Sequence, residues 1–275
     1  MLSKREDLLQ LESHFEFGKN WTSFVDVVGE ENIQQAVAGL SKLIPSDQIK
    51  GKRFLDIGCG SGLSMLAALR LGASSAHGID IDPHSVEAAR KLLSRFAPDD
   101  QWSLEVRSIF EDALPQVFDV VHSWGVLHHT GDMWQAIDRA SQHVGPTGSL
   151  ILALYHKTPL CPAWVIIKRG YSSAGRCGQK IMRGLYKALY ILRITASGRN
   201  PWAFVRNYKT MRGMNFHHDT HDWLGGYPYQ SVLPAEVAAF LEQRGFKMEQ
   251  IWENCAGGVG VLGTGCDEFR ASRIP

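Results

Sequence analysis

Five short apolar runs punctuate the first half of the chain: RFLDIG (53–58), SAHGIDI (75–81), WSLEVRS (102–108), FDVVHSW (118–124) and GSLILALY (148–155). They are partly β-branched and do not alternate strictly with polar residues, which is the pattern of strands buried on both faces. Between them apolar residues recur at helical spacing. GLSMLAALRLG (62–72) repeats them this way and ends on Gly72, while PHSVEAARKLLSRF (83–96) opens at a proline suited to a first helical turn and closes with cations suited to the negative pole. This alternation predicts a parallel sheet with helices on both faces. PAEVAAFLEQRGF (234–246) resumes the helical pattern, and apolar KMEQIWE (247–253) and VGVLGTGCDEFRAS (259–272) supply two further strand candidates.

Composition adds little to the fold but more to the function. The 275 residues are 44% hydrophobic and 21% charged, ordinary for a globular α/β protein. No apolar run approaches the eighteen or so residues that span a bilayer, and the opening MLSKREDLLQLESHF has charge where a signal peptide needs a continuous apolar stretch, so a cytoplasmic protein is expected. The five cysteines (59, 161, 177, 255, 266) form no C-x-x-C pair and read as reduced. The net charge of +1 conceals an asymmetry: residues 156–232 hold twelve Lys or Arg against two acids, Asp219 and Asp222, whereas the rest of the chain holds seventeen bases and twenty-six acids. The basic segment suits anionic partners.

FLDIGCGSG (54–62) places Gly58, Gly60 and Gly62 where a strand turns into a helix, where glycine lets backbone approach a ligand without an intervening Cβ. Counting from Gly58, a dinucleotide fingerprint requires glycine at 63, and Leu63 stands there instead; no G-K-[ST] follows to make a phosphate-binding loop. Asp56 beside the turn repels a phosphate and suits an ammonium or sulfonium. Asp80, ending the second run, stands where a carboxylate accepts both ribose hydroxyls. The ligand implied has a ribose and a positive charge.

FLDIGCGSG, GIDIDP (78–83) and FDVVHSWGVLHHT (118–130) together resemble three motifs of the class I S-adenosylmethionine-dependent methyltransferases, of the type 11 branch. The resemblance covers residues 50–155 closely and the C-terminal elements in outline. It implies a Rossmann-like doubly wound sheet, mostly parallel with an antiparallel final strand, and S-adenosyl-L-methionine as cofactor. It further implies that the backbone from Asp56 through Gly58, Cys59, Gly60 and Gly62 holds the methionine portion, Asp80 the ribose and Ile81 the adenine face. Ser108 and Ile109 fall at the adenine edge, Ser123 lies on the fourth strand beside the cofactor, and His128 just past that strand faces it.

Four segments follow: a helical lid (1–50), a cofactor-binding core (51–155), a basic insertion capping the substrate (156–232) and a completion of the core (233–275). In the first, HFEFGKNWTSF (14–24) resembles a cofactor lid in which Phe17, Asn20 and Trp21 close over the sulfonium, while simple docking of Phe15, Trp21 and Phe24 on the core is the plainer reading. In the insertion, QKIMRGLYKALYILR (179–193) puts Lys180, Arg183 and Lys187 on one helical face and Ile181, Leu185, Leu189 and Leu192 near another. Packing on the sheet with cations toward water is the plain expectation; an anion-binding cap, or contact with a membrane surface, is the sharper one.

RGMNFHHDTHDWLGGYPYQS (212–231) reads as a loop, too polar for a core strand. His217, His218, Asp219, His221 and Asp222 match no named metal site, so no metal is assigned; solvated loop and substrate-contacting loop both remain open. RGM, HDWLGGYP and a final GC[ND]EF resemble a bacterial methyltransferase subgroup, a resemblance that brings no acceptor with it. Methyl transfer from a sulfonium needs alignment, exclusion of water and a base for a hydroxyl acceptor. His128, His129, His218, His221 and Tyr227 are the candidates for proton transfer. Tyr155, Lys180, Arg183, Lys187, Arg212 and Tyr229 are the candidates for substrate contact, with His156 as a positioning group. The expected acceptor is an oxygen of a small or medium anionic metabolite, either a sugar, a lipid-linked molecule or a natural product. RNA methylation, a non-catalytic cofactor-binding subunit and an oxidoreductase are the competing readings, and homodimerisation is left open.

Overall fold

The computed structural model describes residues 17–212, 216–253 and 260–274. Seven strands form one sheet in the order β3-β2-β1-β4-β5-β7-β6: β1 (Arg53–Ile57), β2 (Ser75–Asp80), β3 (Trp102–Val106), β4 (Phe118–Trp124), β5 (Val144–Tyr155), β6 (Phe246–Trp252) and β7 (Cys266–Arg273). β1 to β5 pair in parallel, and β7 runs antiparallel to both β5 and β6. The chain order reverses between β1 and β4, so their carboxyl ends open the crevice in which such sheets bind ligands.

Helices cover both faces. α1 (Phe17–Val25), α2 (Glu30–Leu43), α3 (Leu63–Arg70) and α4 (Pro83–Phe96) belong to one side, where Ile33, Leu40, Leu66 and Leu92 pack with Phe54 and Val120 from the sheet. α5 (Met133–Gln142) and the later helix α10 (Pro234–Glu242) belong to the other, with Ile137, Val237 and Leu241 against Val121, Leu152 and Phe269. Local chemistry sets the helix starts: the Asp82 carboxylate accepts from His84 N at 2.8 Å ahead of Pro83, and Glu236 accepts from Leu233 N at 2.8 Å beside Pro234.

Between β5 and α10 the chain forms α6 (Cys161–Ser173), α7 (Arg176–Ala196), α8 (Pro201–Arg212) and α9 (Phe216–Gly225). Its two ends are fastened together: Val232 N donates to Tyr155 O at 3.0 Å, Lys157 N donates to Val232 O at 2.9 Å, and His156 and Val232 form a parallel bridge. These helices have a core of their own, in which Trp164, Tyr171, Leu224 and Tyr229 meet Met182, Tyr186 and Trp223.

Two expectations change here. The histidine-rich stretch is not a loop: Phe216, Thr220 and Leu224, four residues apart, are buried along one side of α9. α7 packs on α6, α8 and α9 rather than on the sheet. Met182 and Tyr186 point into the insertion's core, while Ile181, Leu185, Leu189 and Leu192 face outward.

Candidate functional site

The bend after β1 holds three glycines in the left-handed region, with φ of 72° at Gly58, 53° at Gly60 and 76° at Gly62. Each is also crowded by protein. A Cβ at Gly58 would lie 2.4 Å from Val126 Cγ1, one at Gly60 3.2 Å from the Trp21 ring, and one at Gly62 3.0 Å from Ala89 Cβ. Their bare Cα atoms also make room for β4's exit, for α1 and for α4. Gly58 N and Cys59 N donate to Ile79 O at 2.8 and 3.1 Å, fixing the bend to β2. Burial, then the charges of Asp80 and Asp56, raise the Cys59 thiol well above its ordinary pKa and keep it protonated.

Asp80 closes this bend from the end of β2. Its Oδ2 accepts from Gly60 N at 3.0 Å and its Oδ1 from Asp82 N at 2.9 Å. Burial raises its pKa to about 6 in spite of both bonds. A carboxylate has roughly four acceptor positions, so two remain for the adjacent hydroxyls of a ribose. α1 is latched over this corner because Gly18 N donates to Asp82 Oδ2 at 2.9 Å and Trp21 lies on the bend. That position suits a lid; Phe15 lies outside the described residues, as do the side chains of Phe17 and Asn20.

Asp56 is buried and directed at β4, where its Oδ1 accepts from His122 Nδ1 at 2.7 Å. Ser123 is fully buried and donates from Oγ to Ile57 O at 2.9 Å, cross-linking the same two strands. Ser108 Oγ accepts from Phe110 N at 3.3 Å, Ile109 is buried in the core, and Ile81 is half-buried just beyond Asp80.

Past β4 stands a second wall. His128 is fully buried in the short turn Leu127–His129, and neither ring nitrogen has a hydrogen-bond partner among the described residues. Burial, then the neighbouring His129 and Lys168, depress its pKa far below the usual imidazole value, so the ring is neutral. Its ring centroid lies 3.9 Å from that of Tyr155 and 4.4 Å from that of His129. His129 Nδ1 donates to Pro228 O at 2.6 Å, which fixes the proton on that nitrogen.

Lys168 enters the same cluster from α6. Its Nζ is 3.7 Å from the Trp223 ring centroid, 5.1 Å from Tyr229 and 5.7 Å from Tyr155, and it donates to Trp223 O. It is fully buried, and desolvation depresses its pKa strongly. The Trp223 indole N–H is buried without a partner among the described residues, and Tyr229 OH lies 3.4 Å from Cys161 Sγ and 3.3 Å from Thr264 Oγ1. Burial raises the Tyr229 phenol, which stays protonated. Neutral His128 and buried Lys168 thus contact one Tyr155 ring at the carboxyl end of β4 and β5. Such a pair can accept a proton from a bound hydroxyl and stabilise the resulting oxyanion.

The other candidates are dispersed. His221 Nδ1 accepts from Tyr171 OH at 2.5 Å and from Arg183 Nη1 at 3.0 Å, within the insertion. Arg183 is thereby engaged inside the protein, Lys187 lies 5.8 Å over the Phe216 ring, and Lys180 is exposed. Tyr227 is half-buried beside Pro228. The side chains of His218 and Arg212 lie outside the described residues. His156, named as a positioning group, bonds through Nδ1 to buried Asp267 Oδ2 at 2.5 Å. Sequence reading passed over Lys168, His122 and Asp267. Lys168 carried a signal: with Trp164 four residues before it and Tyr171 three after, it falls on the apolar side of α6. Among the described residues, no group of three or more His, Cys, Asp or Glu side chains converges on a common metal position.

Residues 55–150 match the family model described as a methyltransferase domain. The chain is 36% identical over 105 residues to a ribosomal protein L11 methyltransferase of Erwinia tasmaniensis, a match covering 37% of this chain and 35% of that one. It is 31% identical over 197 residues to a ubiquinone biosynthesis O-methyltransferase of Neisseria meningitidis serogroup A, covering 71% of this chain and 63% of that one. It thus spans between about a third and just under two thirds of the length of these curated relatives. Among solved structures, an S-adenosylmethionine-dependent methyltransferase from Mesorhizobium loti superposes with a TM-score of 0.52 at 19% identity, covering 86% of this chain and 96% of that one. Magnesium protoporphyrin IX methyltransferase from Synechocystis with bound SAH superposes with a TM-score of 0.51 at 16% identity, covering 88% and 82%. At these identities the superpositions speak for the fold.

Proposed function

The chain carries a class I S-adenosylmethionine-dependent methyltransferase domain, and from that premise we propose that it methylates an oxygen of a small or medium anionic metabolite held between His128 and Lys168. The observation that carries this reading is His128, fully buried at the carboxyl edge of the sheet with two unpartnered ring nitrogens, two residues beyond the valine that packs on Gly58. One relative, whose match covers 71% of this chain, is itself named an O-methyltransferase, which favours oxygen as the acceptor atom.

When bound, S-adenosylmethionine supplies an electrophilic methyl group on a sulfonium whose sulfur leaves as a neutral thioether. The residues present fit it. Asp80 has acceptor capacity left for the ribose hydroxyls, half-buried Ile81 offers apolar surface to the adenine, and Trp21 lies over the bend that would hold the methionine portion. Asp56 contributes from behind, as the acceptor that orients His122.

His128 receives the acceptor's hydroxyl proton as the new carbon–oxygen bond forms. Its low basicity suits an acidic hydroxyl, such as a phenol or enol, better than an alkyl alcohol. The Lys168 amino group, which meets no carboxylate among the described residues, donates to the developing oxyanion. Tyr155 and Trp223 exclude water and present apolar faces to the acceptor.

Calorimetric titration with S-adenosylmethionine, its demethylated product and NAD tests the premise. Micromolar binding of the first two is expected, with at least a tenfold loss in Asp80→Ala. Preferential binding of NAD overturns the reading.

A further inference from the structure

Among the described residues, the outward side of α7 carries a row of exposed apolar side chains. Ile181, Leu185, Leu189 and Leu192 recur at i, i+4, i+8 and i+11 and so share one helical face about 16 Å long. Their exposures are 60%, 63%, 56% and 65%. Trp202, in the first turn of α8, is 84% exposed. Isolated exposed leucines are unremarkable, but a continuous row on a helix whose opposite side is already packed calls for an occupant.

Charge identifies that occupant. Residues 156–218 contain twelve Lys or Arg and no acid. Arg176, Lys180 and Arg193 on α7, with Arg169 on α6, Arg199 beyond α7 and Arg206 on α8, are all exposed. A helix with an exposed apolar row in an acid-free, cation-rich segment has the composition of one lying on an anionic bilayer, leucines toward the acyl chains and cations toward the headgroups. No helix of the described residues is long and apolar enough to cross a membrane, so contact is superficial. RNA would meet the cations but gain nothing from the leucines. A second copy docking through the same face would press one acid-free surface against another.

We propose that the α7 face docks on an anionic phospholipid bilayer, holding the domain at a lipid surface. The inference is independent of methyl transfer, because the docking face and the His128 cluster share no residue.

The test is flotation of the full chain with vesicles of phosphatidylglycerol and phosphatidylcholine, and with phosphatidylcholine alone, without cofactor. Binding is expected to the mixed vesicles only, weakening as salt rises. Leu185→Glu/Leu189→Glu should lower the partition coefficient at least tenfold, at unchanged circular dichroism and Tm, because both side chains are exposed. Leu185→Phe should retain binding. Failure of the wild-type chain to float overturns the proposal, as does undiminished flotation of the double variant. A wild-type dimer that the double variant splits, without vesicle binding, overturns it in favour of self-association.

Discussion

The His122 imidazole and the Asp56 carboxylate meet across 2.7 Å where β4 pairs with β1, Asp56 directly opposite His122 in the register. Both side chains are buried, so the bond anchors the two strands whose divergence opens the ligand crevice. Removing the donor leaves a buried carboxylate with one partner fewer. His122→Ala should therefore destabilise the fold by about 1–3 kcal/mol, read as a lower urea midpoint at unchanged m.

The His128 ring makes no hydrogen bond among the described residues, so a chemical role and a packing role of the imidazole separate cleanly. His128→Gln keeps most of the volume and should lower kcat by about 10²–10⁴-fold while leaving cofactor affinity within twofold. Equal turnover by the variant would remove His128 from proton transfer.

Lys168 has a buried amino group that, among the described residues, meets a carbonyl and aromatic faces. Lys168→Met replaces it with an apolar chain of similar length. Thermal unfolding should show an unchanged or raised Tm, whereas KM for an anionic acceptor should rise at least tenfold. A purely structural lysine would give the drop in Tm without the change in KM.

The Asp80 carboxylate has its pKa raised to about 6 by burial. Ribose hydroxyls donate to the ionised form, so cofactor binding favours that form and displaces the proton. Affinity should be constant above pH 7 and fall as pH drops through 6, approaching tenfold per unit; in Asp80→Asn it should be weaker and flat. Calorimetry in buffers of different ionisation enthalpy would report the proton released near pH 6.

Gly58 combines a φ of 72° with a valine methyl 2.4 Å from where a Cβ would stand. Gly58→Ala should cost about 1–2 kcal/mol in backbone strain alone, and more through displacement of Val126. Because Val126 leads directly to His128, turnover should fall further than stability predicts.

The strands were legible because a parallel sheet buried on both faces writes itself as continuous apolar runs, and β1 to β5 coincide with those runs to within a few residues. α9 was not. Its buried row of Phe216, Thr220 and Leu224 is diluted by His217, His218, Asp219, His221 and Asp222, and a threonine carries no apolar signal in the sequence. The glycine bend was located correctly but for an incomplete reason, since Val126, Trp21 and Ala89 reach it from three separate segments. Lys168 is the same kind of case: its aromatic surroundings come from positions 155, 223 and 229, which only the folded insertion assembles.

The hydrogen bonds joining Tyr155, Lys157 and Val232 have an evolutionary and practical corollary. The four-helix excursion leaves and re-enters the core through one doorway a single strand-spacing wide, so its outer helices can be exchanged as a cassette while the sheet keeps its register. Specificity and address can then diversify on one side of the threshold as the nucleoside-binding crevice stays constant on the other.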